Sequence, residues 1–186
     1  VIGKDIVRFH TIYWPILLMA LDLPLPKRVL GHPWVLFGED KMSKSKGNVV
    51  YSDEMAEIFG VDAVRYYLLS EIPFAQDGSI TYESMIAKFN ADLANTLGNL
   101  VSRSVAMAVK YFDGKVRRPA DFDNEIDADL ITCQKKALDA MNEGFDTLHI
   151  GDSINAVMDF AKRCNKYIDE TMPWALAKDE AQKARL

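Results

Sequence analysis

Cysteine is scarce in this sequence. Cys133 and Cys164 are the whole complement among 186 residues, far apart, with no Cys-x-x-Cys and no His pair beside them. That argues against a disulfide framework or a zinc site, and the two read as reduced, mostly buried thiols of a cytoplasmic protein. Long apolar runs are missing too. The longest, Ile12 to Leu21, is interrupted by Pro15 and falls short of the roughly 18 residues a membrane-spanning helix needs. Nor is there an excess of positive charge: 22 Lys and Arg stand against 27 Asp and Glu, a net charge of −5. Any contact with nucleic acid must therefore come from local clusters at 41–46, at Lys115, Arg117 and Arg118, or at Lys162, Arg163 and Lys166. The last two also read as solvated surface. No internal repeat or low-complexity segment stands out. The chain opens at Val1 with no targeting segment and closes at Leu186 inside a helical pattern, from which we expect a piece of a longer protein.

What is present suits a soluble globular protein: 49% apolar and 26% charged residues, enough to bury a core. Val1 to Gly3 reads as a strand end, followed by a helix from Lys4 to about Leu21 with Asp5 placed to cap its first amides. Short strands fit Arg28 to Leu30 and Trp34 to Phe37, with a turn at 38–40. Ser52, followed by Asp53 and Glu54, is a helix start that Gly60 stops, and Asp62 caps the next helix through Leu69. Residues 74–84 read as loop. From about Ser84 the period lengthens. Ile86, Phe89, Leu93, Leu97, Leu100, Ser104, Ala108 and Phe112 form one helical core stripe, leaving Asn95, Asn99 and Arg103 on an exposed ridge. After a break at 113–123, helices are expected at 126–145, 153–171 and 173–185, the last opened by Pro173.

One loop stands apart. Lys41-Met42-Ser43-Lys44-Ser45-Lys46-Gly47-Asn48 gathers three lysines, two serines and a glycine directly after the apolar run 34–37. Ammonium groups, hydroxyls and backbone amides suit a polyphosphate, and the glycine lets the backbone approach or move. It is not a Walker loop, since the glycine follows the lysines. By composition alone, a solvated basic loop fits as well as a phosphate site.

The order of the residues goes further. Lys41 to Ser45 resembles, at every position, the signature loop of class I aminoacyl-tRNA synthetases. "GKDIVRFHTIYWP" (3–15) is similar to the methionyl branch, and "NTLGNLVSR" (95–103) and "DETMPWALAK" (169–178) resemble that branch's anticodon-binding helices. The resemblance covers essentially the whole chain.

It implies a mainly α chain: the C-terminal remnant of a Rossmann-type α/β catalytic domain (1–37), the lysine loop with a stem-contact linker (38–83), and an all-α anticodon-binding bundle (84–186). Such enzymes activate L-methionine with ATP and Mg2+, then esterify it to tRNA(Met). The methionine carboxylate attacks the α-phosphorus, so no enzyme nucleophile is expected and catalysis is positioning plus charge stabilisation. On this resemblance Lys41 and Lys44 meet the departing pyrophosphate, while Met42, Ser43 and Ser45 shape the nucleotide loop. Gly3 and Asp5 lie near the adenylate ribose. Ile6, His10 and Trp14 line the methionine pocket, with His10 donating toward sulfur. Asn99, Arg103 and Trp174, with Asn95 less directly, read the anticodon. Zinc belongs only to the upstream region, as does the His-Ile-Gly-His half of the site. His149-Ile150-Gly151-Asp152 imitates that motif but reads as a turn at Gly151 and a helix cap at Asp152. Alone, the chain is expected to be inactive. The alternatives are another class I synthetase, or a noncatalytic tRNA-binding module that kept the loop.

Overall fold

A computed structural model describes residues 1–186 apart from 39, 43–46, 48, 74–75, 117–123, 181 and 183–184, with only the backbone of 40 and 41. The chain is mainly helical and falls into two compact units, Val1–Met85 and Ile86–Leu186.

The first unit holds two small sheets. β1 (Ile2–Gly3) pairs in parallel with β2 (Gly31–His32). β2 lies just beyond the strand expected at Arg28 to Leu30, and the carbonyl of Leu30 accepts from the Ile2 amide at 2.8 Å. β3 (Val35–Phe37) is the middle strand of the second sheet, antiparallel to β4 (Asp40–Lys41) and parallel to β5 (Gly78–Ile80). The tight turn between β3 and β4 rests on Gly38 at φ +64°, a conformation that glycine adopts without a Cβ penalty. β5 corrects the expectation of loop through 74–84. Its three residues are too few to signal a strand, and its pairing partner is about forty positions upstream.

The helix expected from Lys4 is three conformations in sequence: a 3-10 turn (Lys4–Ile6), a π segment (Phe9–Tyr13) and α1 (Trp14–Ala20). Pro15 has no amide to give the carbonyl four residues back, and directly before it the bonding widens, with the Trp14 amide reaching the Phe9 carbonyl. Gly3, not Asp5, occupies the N-cap, so Asp5 opposes the helix dipole from inside the first turn. The same shift holds at α2 (Ser52–Phe59) and α3 (Val61–Glu71), whose N-caps are Tyr51 and Gly60 rather than Ser52 and Asp62. Gly60, at φ 85°, both stops α2 and opens α3. α4 (Tyr82–Lys88) starts with a reciprocal cap: Thr81 Oγ1 accepts from the Ser84 amide at 3.0 Å and Ser84 Oγ from the Thr81 amide at 3.1 Å. Met55, Val64, Tyr67, Ile80 and Met85 are the buried core.

In the second unit a π segment (Phe89–Gly98) runs into α5 (Asn99–Phe112), followed by α6 (Glu125–Thr147), α7 (Ile150–Thr171) and the short α8 (Pro173–Leu176). The π segment moves the core stripe. Leu97 and Phe112 are exposed, as Ile86 already is in α4 before the segment begins, whereas Asp92 and Thr96 are buried. Wider turns of the backbone carry polar residues inward, where they find partners. Thr96 Oγ1 donates to the Ala91 carbonyl, its own carbonyl accepts from Asn165, each at 2.9 Å, and Lys88 pairs with Asp92. The helix expected through 185 ends at Leu176, and Arg185 instead meets the buried Asp127 of α6.

Candidate functional site

In the first unit the sequence-predicted residues begin at the end of β1 and continue along the helical segments after it. Gly3 ends the strand, and a Cβ there would lie 2.5 Å from Asp5 Oδ1, so the glycine makes room for the carboxylate two residues on. Ile6, His10 and Trp14 follow. His10 Nδ1 lies 2.9 Å from the Ile6 carbonyl, which can only accept, so Nδ1 carries a hydrogen. Neutral His10 then presents Nε2 as an acceptor, and donation toward a sulfur requires the imidazolium. The His10 ring meets the half-exposed Trp14 edge-on, centroids 5.9 Å apart.

Lys41 lies on β4, its backbone opposite Leu36 of β3. Met42 after it is half-buried, and Gly47 has φ +68°. The roles expected of Ser43, Lys44 and Ser45 fall outside the described residues. One residue that the sequence did not flag joins this region. Asp77 accepts from the Lys4 ammonium and, at 2.9 Å, from the Trp34 amide. The Lys4 hydrogen bond, helped by the Trp34 amide, holds its carboxyl below the ordinary value. Its partners are so distant in sequence that no local pattern could reveal them.

In the second unit Asn95 and Asn99 are exposed, and the Asn99 side chain donates to the Asn95 carbonyl at 2.9 Å. Arg103 departs from the expected ridge. It is half-buried and paired with Asp169 of α7, because the π segment rotates it toward that helix. Trp174 is exposed on α8, two residues past Met172, whose left-handed backbone ends α7. The Lys162 cluster is neutralised: Lys162 pairs with Asp159 at 2.9 Å, and Arg163 with Asp129 at 2.7 Å and Glu170 at 3.1 Å. The motif at 149–152 does not end a turn at Gly151. Leu148 takes the left-handed conformation, His149 is the N-cap, and Gly151 and Asp152 lie in the first turn of α7. Cys133 and Cys164 are free and half-buried, and burial pushes the Cys164 thiol up. Among the described residues no group of metal-ligating side chains gathers, and no helix is long and apolar enough to cross a membrane.

The family model of tRNA synthetases class I (M) matches residues 1–105. Over 185 residues the chain is 57% identical to the methionine–tRNA ligase of Clostridium acetobutylicum and 52% identical to that of Caldanaerobacter subterraneus, covering all of itself and 29% of each. It thus spans under a third of the length of the curated relatives it matches. A crystal structure of Mycobacterium tuberculosis methionyl-tRNA synthetase bound by methionyl-adenylate is similar at TM-score 0.92 and 43% identity, over 99% of this chain and 36% of that one. The apo form of that enzyme is similar at TM-score 0.87.

Proposed function

The chain belongs to the class I tRNA synthetases (M), and from that premise we propose that it is the part of a methionine–tRNA ligase carrying the lysine loop and the anticodon helices. Residues 1–37 are the end of the Rossmann-type catalytic domain, 38–83 the lysine loop and stem-contact region, and 84–186 the anticodon-binding bundle. The full-length ligase joins L-methionine to ATP, taken as its magnesium complex, to give methionyl-adenylate and pyrophosphate, and then charges tRNA(Met).

Methionine's own carboxylate is the nucleophile, so the protein's task is to hold two ends of one nucleotide and absorb charge at one of them. Asp5 accepts from the ribose hydroxyls, in the space that Gly3 leaves open. Lys41 and Lys44 meet the pyrophosphate as negative charge grows on it, with Met42, Ser43 and Ser45 shaping the loop around them. The T-shaped pair of His10 and Trp14, with Ile6, offers an aromatic wall for a polarizable thioether. One observation supports this reading most directly: the unit 1–85 contains both Gly3 and Asp5 at the end of β1 and the backbone of Lys41 on β4. In the second unit Asn95, Asn99 and Arg103 offer hydrogen bonds to base edges, and Trp174 a stacking surface.

The test is methionine-dependent ATP–pyrophosphate exchange by the full-length protein. Lys44→Ala should slow it by about a hundredfold or more, the effect of removing one charge-stabilising group worth ~3 kcal/mol. The isolated 186 residues should give no exchange, because the remaining donors of the site act together with Lys44. An unchanged rate in Lys44→Ala would remove the leaving-group role.

A further inference from the structure

Within the first unit, one carboxylate ties the two sheets together. Asp77 lies just before β5, and its Oδ1 accepts both the Lys4 ammonium, from the end of β1, and the Trp34 amide, from the start of β3. Lys4 stands between Gly3 and Asp5, and its ammonium also lies 6.0 Å from the centre of the Trp34 ring. From Trp34 the chain runs through β3, turns at Gly38 and reaches Lys41 on β4. A single oxygen therefore joins the segment that carries the ribose residues to the strand pair that delivers the lysine loop. An ion pair this exposed adds little to stability, which leaves geometry as its contribution.

We propose that Asp77 is a positioning residue for adenylate formation: it fixes Lys4, and with it Gly3 and Asp5, relative to the strands that end on Lys41. The inference rests on the function proposed above. In-line displacement needs the ribose and the pyrophosphate of one ATP held together, and misplacing either by about 1 Å costs up to ~100-fold in rate. The carboxylate suits this task because it makes a charged bond to a side chain and a directional bond to a backbone amide at once. Asparagine could keep the amide bond but not the charge opposite Lys4.

The experiment is steady-state ATP–pyrophosphate exchange by the full-length protein with Asp77→Ala, Asp77→Asn, Asp77→Glu and Lys4→Ala. Asp77→Ala should lower kcat by about 10- to 100-fold, with the KM for methionine and the affinity for tRNA unchanged. Asp77→Asn should fall between it and the parent, and Asp77→Glu should recover part of the rate. The double variant Lys4→Ala/Asp77→Ala should be no slower than the slower single variant, since both remove one contact. Parental kcat in Asp77→Asn, or additive losses in the double variant, would overturn the proposal. Should Asp77→Ala lose tRNA binding as well, through failure to fold, Asp77→Asn decides. The underlying function fails differently: the parent protein then shows no methionine-dependent exchange, or Lys44→Ala matches it. The positioning role fails when those two behave as expected and the Asp77 variants run at the parental rate.

Discussion

Asp127 is 3% exposed and carries a charge, so its neighbours decide whether it helps or harms the second unit. Arg185 donates to both of its oxygens and Tyr167 donates to Oδ1 at 2.6 Å. The Arg185 bond, and then that of Tyr167, hold the carboxyl below its ordinary value against the opposing effect of burial. A depressed carboxyl in the folded state stabilises above the unfolded value and loses that contribution as pH falls through the folded one. The effect therefore disappears on the acid side, below about pH 4. Arg185 is itself about a third exposed and Tyr167 still donates when it is gone, so Arg185→Ala should cost about 1–3 kcal/mol, the loss of a bond to a buried charge. Lys162, in an exposed pair with Asp159, should cost at most about 1 kcal/mol when replaced by Ala. Urea denaturation of the chain at neutral pH separates the two, and Arg185→Ala should also unfold at a higher pH on acid titration. Equal, small losses would mean that the Asp127 network contributes nothing.

Helix existence was readable from apolar period and punctuation, and helix phase was not. Gly60 and the left-handed residues after α5 and α7 fall where the sequence stops its helices. The two π segments, however, follow no residue pattern that a 3.6-residue period detects. The wider turns of the second, Phe89–Gly98, bring Asp92 and Thr96 inside, and Arg103 beyond it pairs with Asp169. At the candidate site the same division holds. Gly3, Asp5, His10 and Trp14 are expected at the site only because 3–15 resembles a known family, whereas Asp77 depends on partners 73 and 43 positions away. The crossing of α6 and α7 was equally hidden. Gly144 faces Ser153, which is fully buried and donates to the Met141 carbonyl at 2.9 Å. A Cβ at Gly144 would lie 2.2 Å from Ser153 Oγ and 3.0 Å from the His149 carbonyl. Alanine in a helix is ordinarily better than glycine by about 1 kcal/mol, so propensity alone favours Gly144→Ala. Overpacking should win here, with a net loss of about 1–3 kcal/mol. Adding Ser153→Ala should recover part of it by removing the nearer atom. Thermal unfolding of the three variants checks this, and a stabilised Gly144→Ala would show that the helices can separate without cost.

For the molecule as a whole, charge limits how an RNA can be held. The net charge is −5, and Lys162, Arg163 and Lys166 spend their charge on Asp159, Asp129 and Glu170. Binding through many phosphates is therefore a poor fit for the cluster at 162–166, and on the proposed function base stacking with edge hydrogen bonds is the better one for the residues around Trp174. Trp174, 42% exposed on α8, is the side chain suited to stacking, worth about 1–3 kcal/mol per base. On the proposed function, adenylate formation belongs to residues of the unit 1–85 and anticodon contact to residues of the unit 86–186, so a defect in the second is expected to leave the chemistry of the first unchanged. In the full-length protein, Trp174→Ala should slow tRNA(Met) charging by about tenfold or more, the loss of one stacking contact. It should leave methionine-dependent exchange at the parental rate. The dependence of tRNA affinity on salt should also stay as it was, because an indole neutralises no phosphate and releases no counterion. Charging and exchange measured side by side on one preparation decide the matter. A parallel fall in both would place Trp174 in the fold rather than on the RNA, and a changed salt slope would mean that the replacement had moved the cations that meet the phosphates.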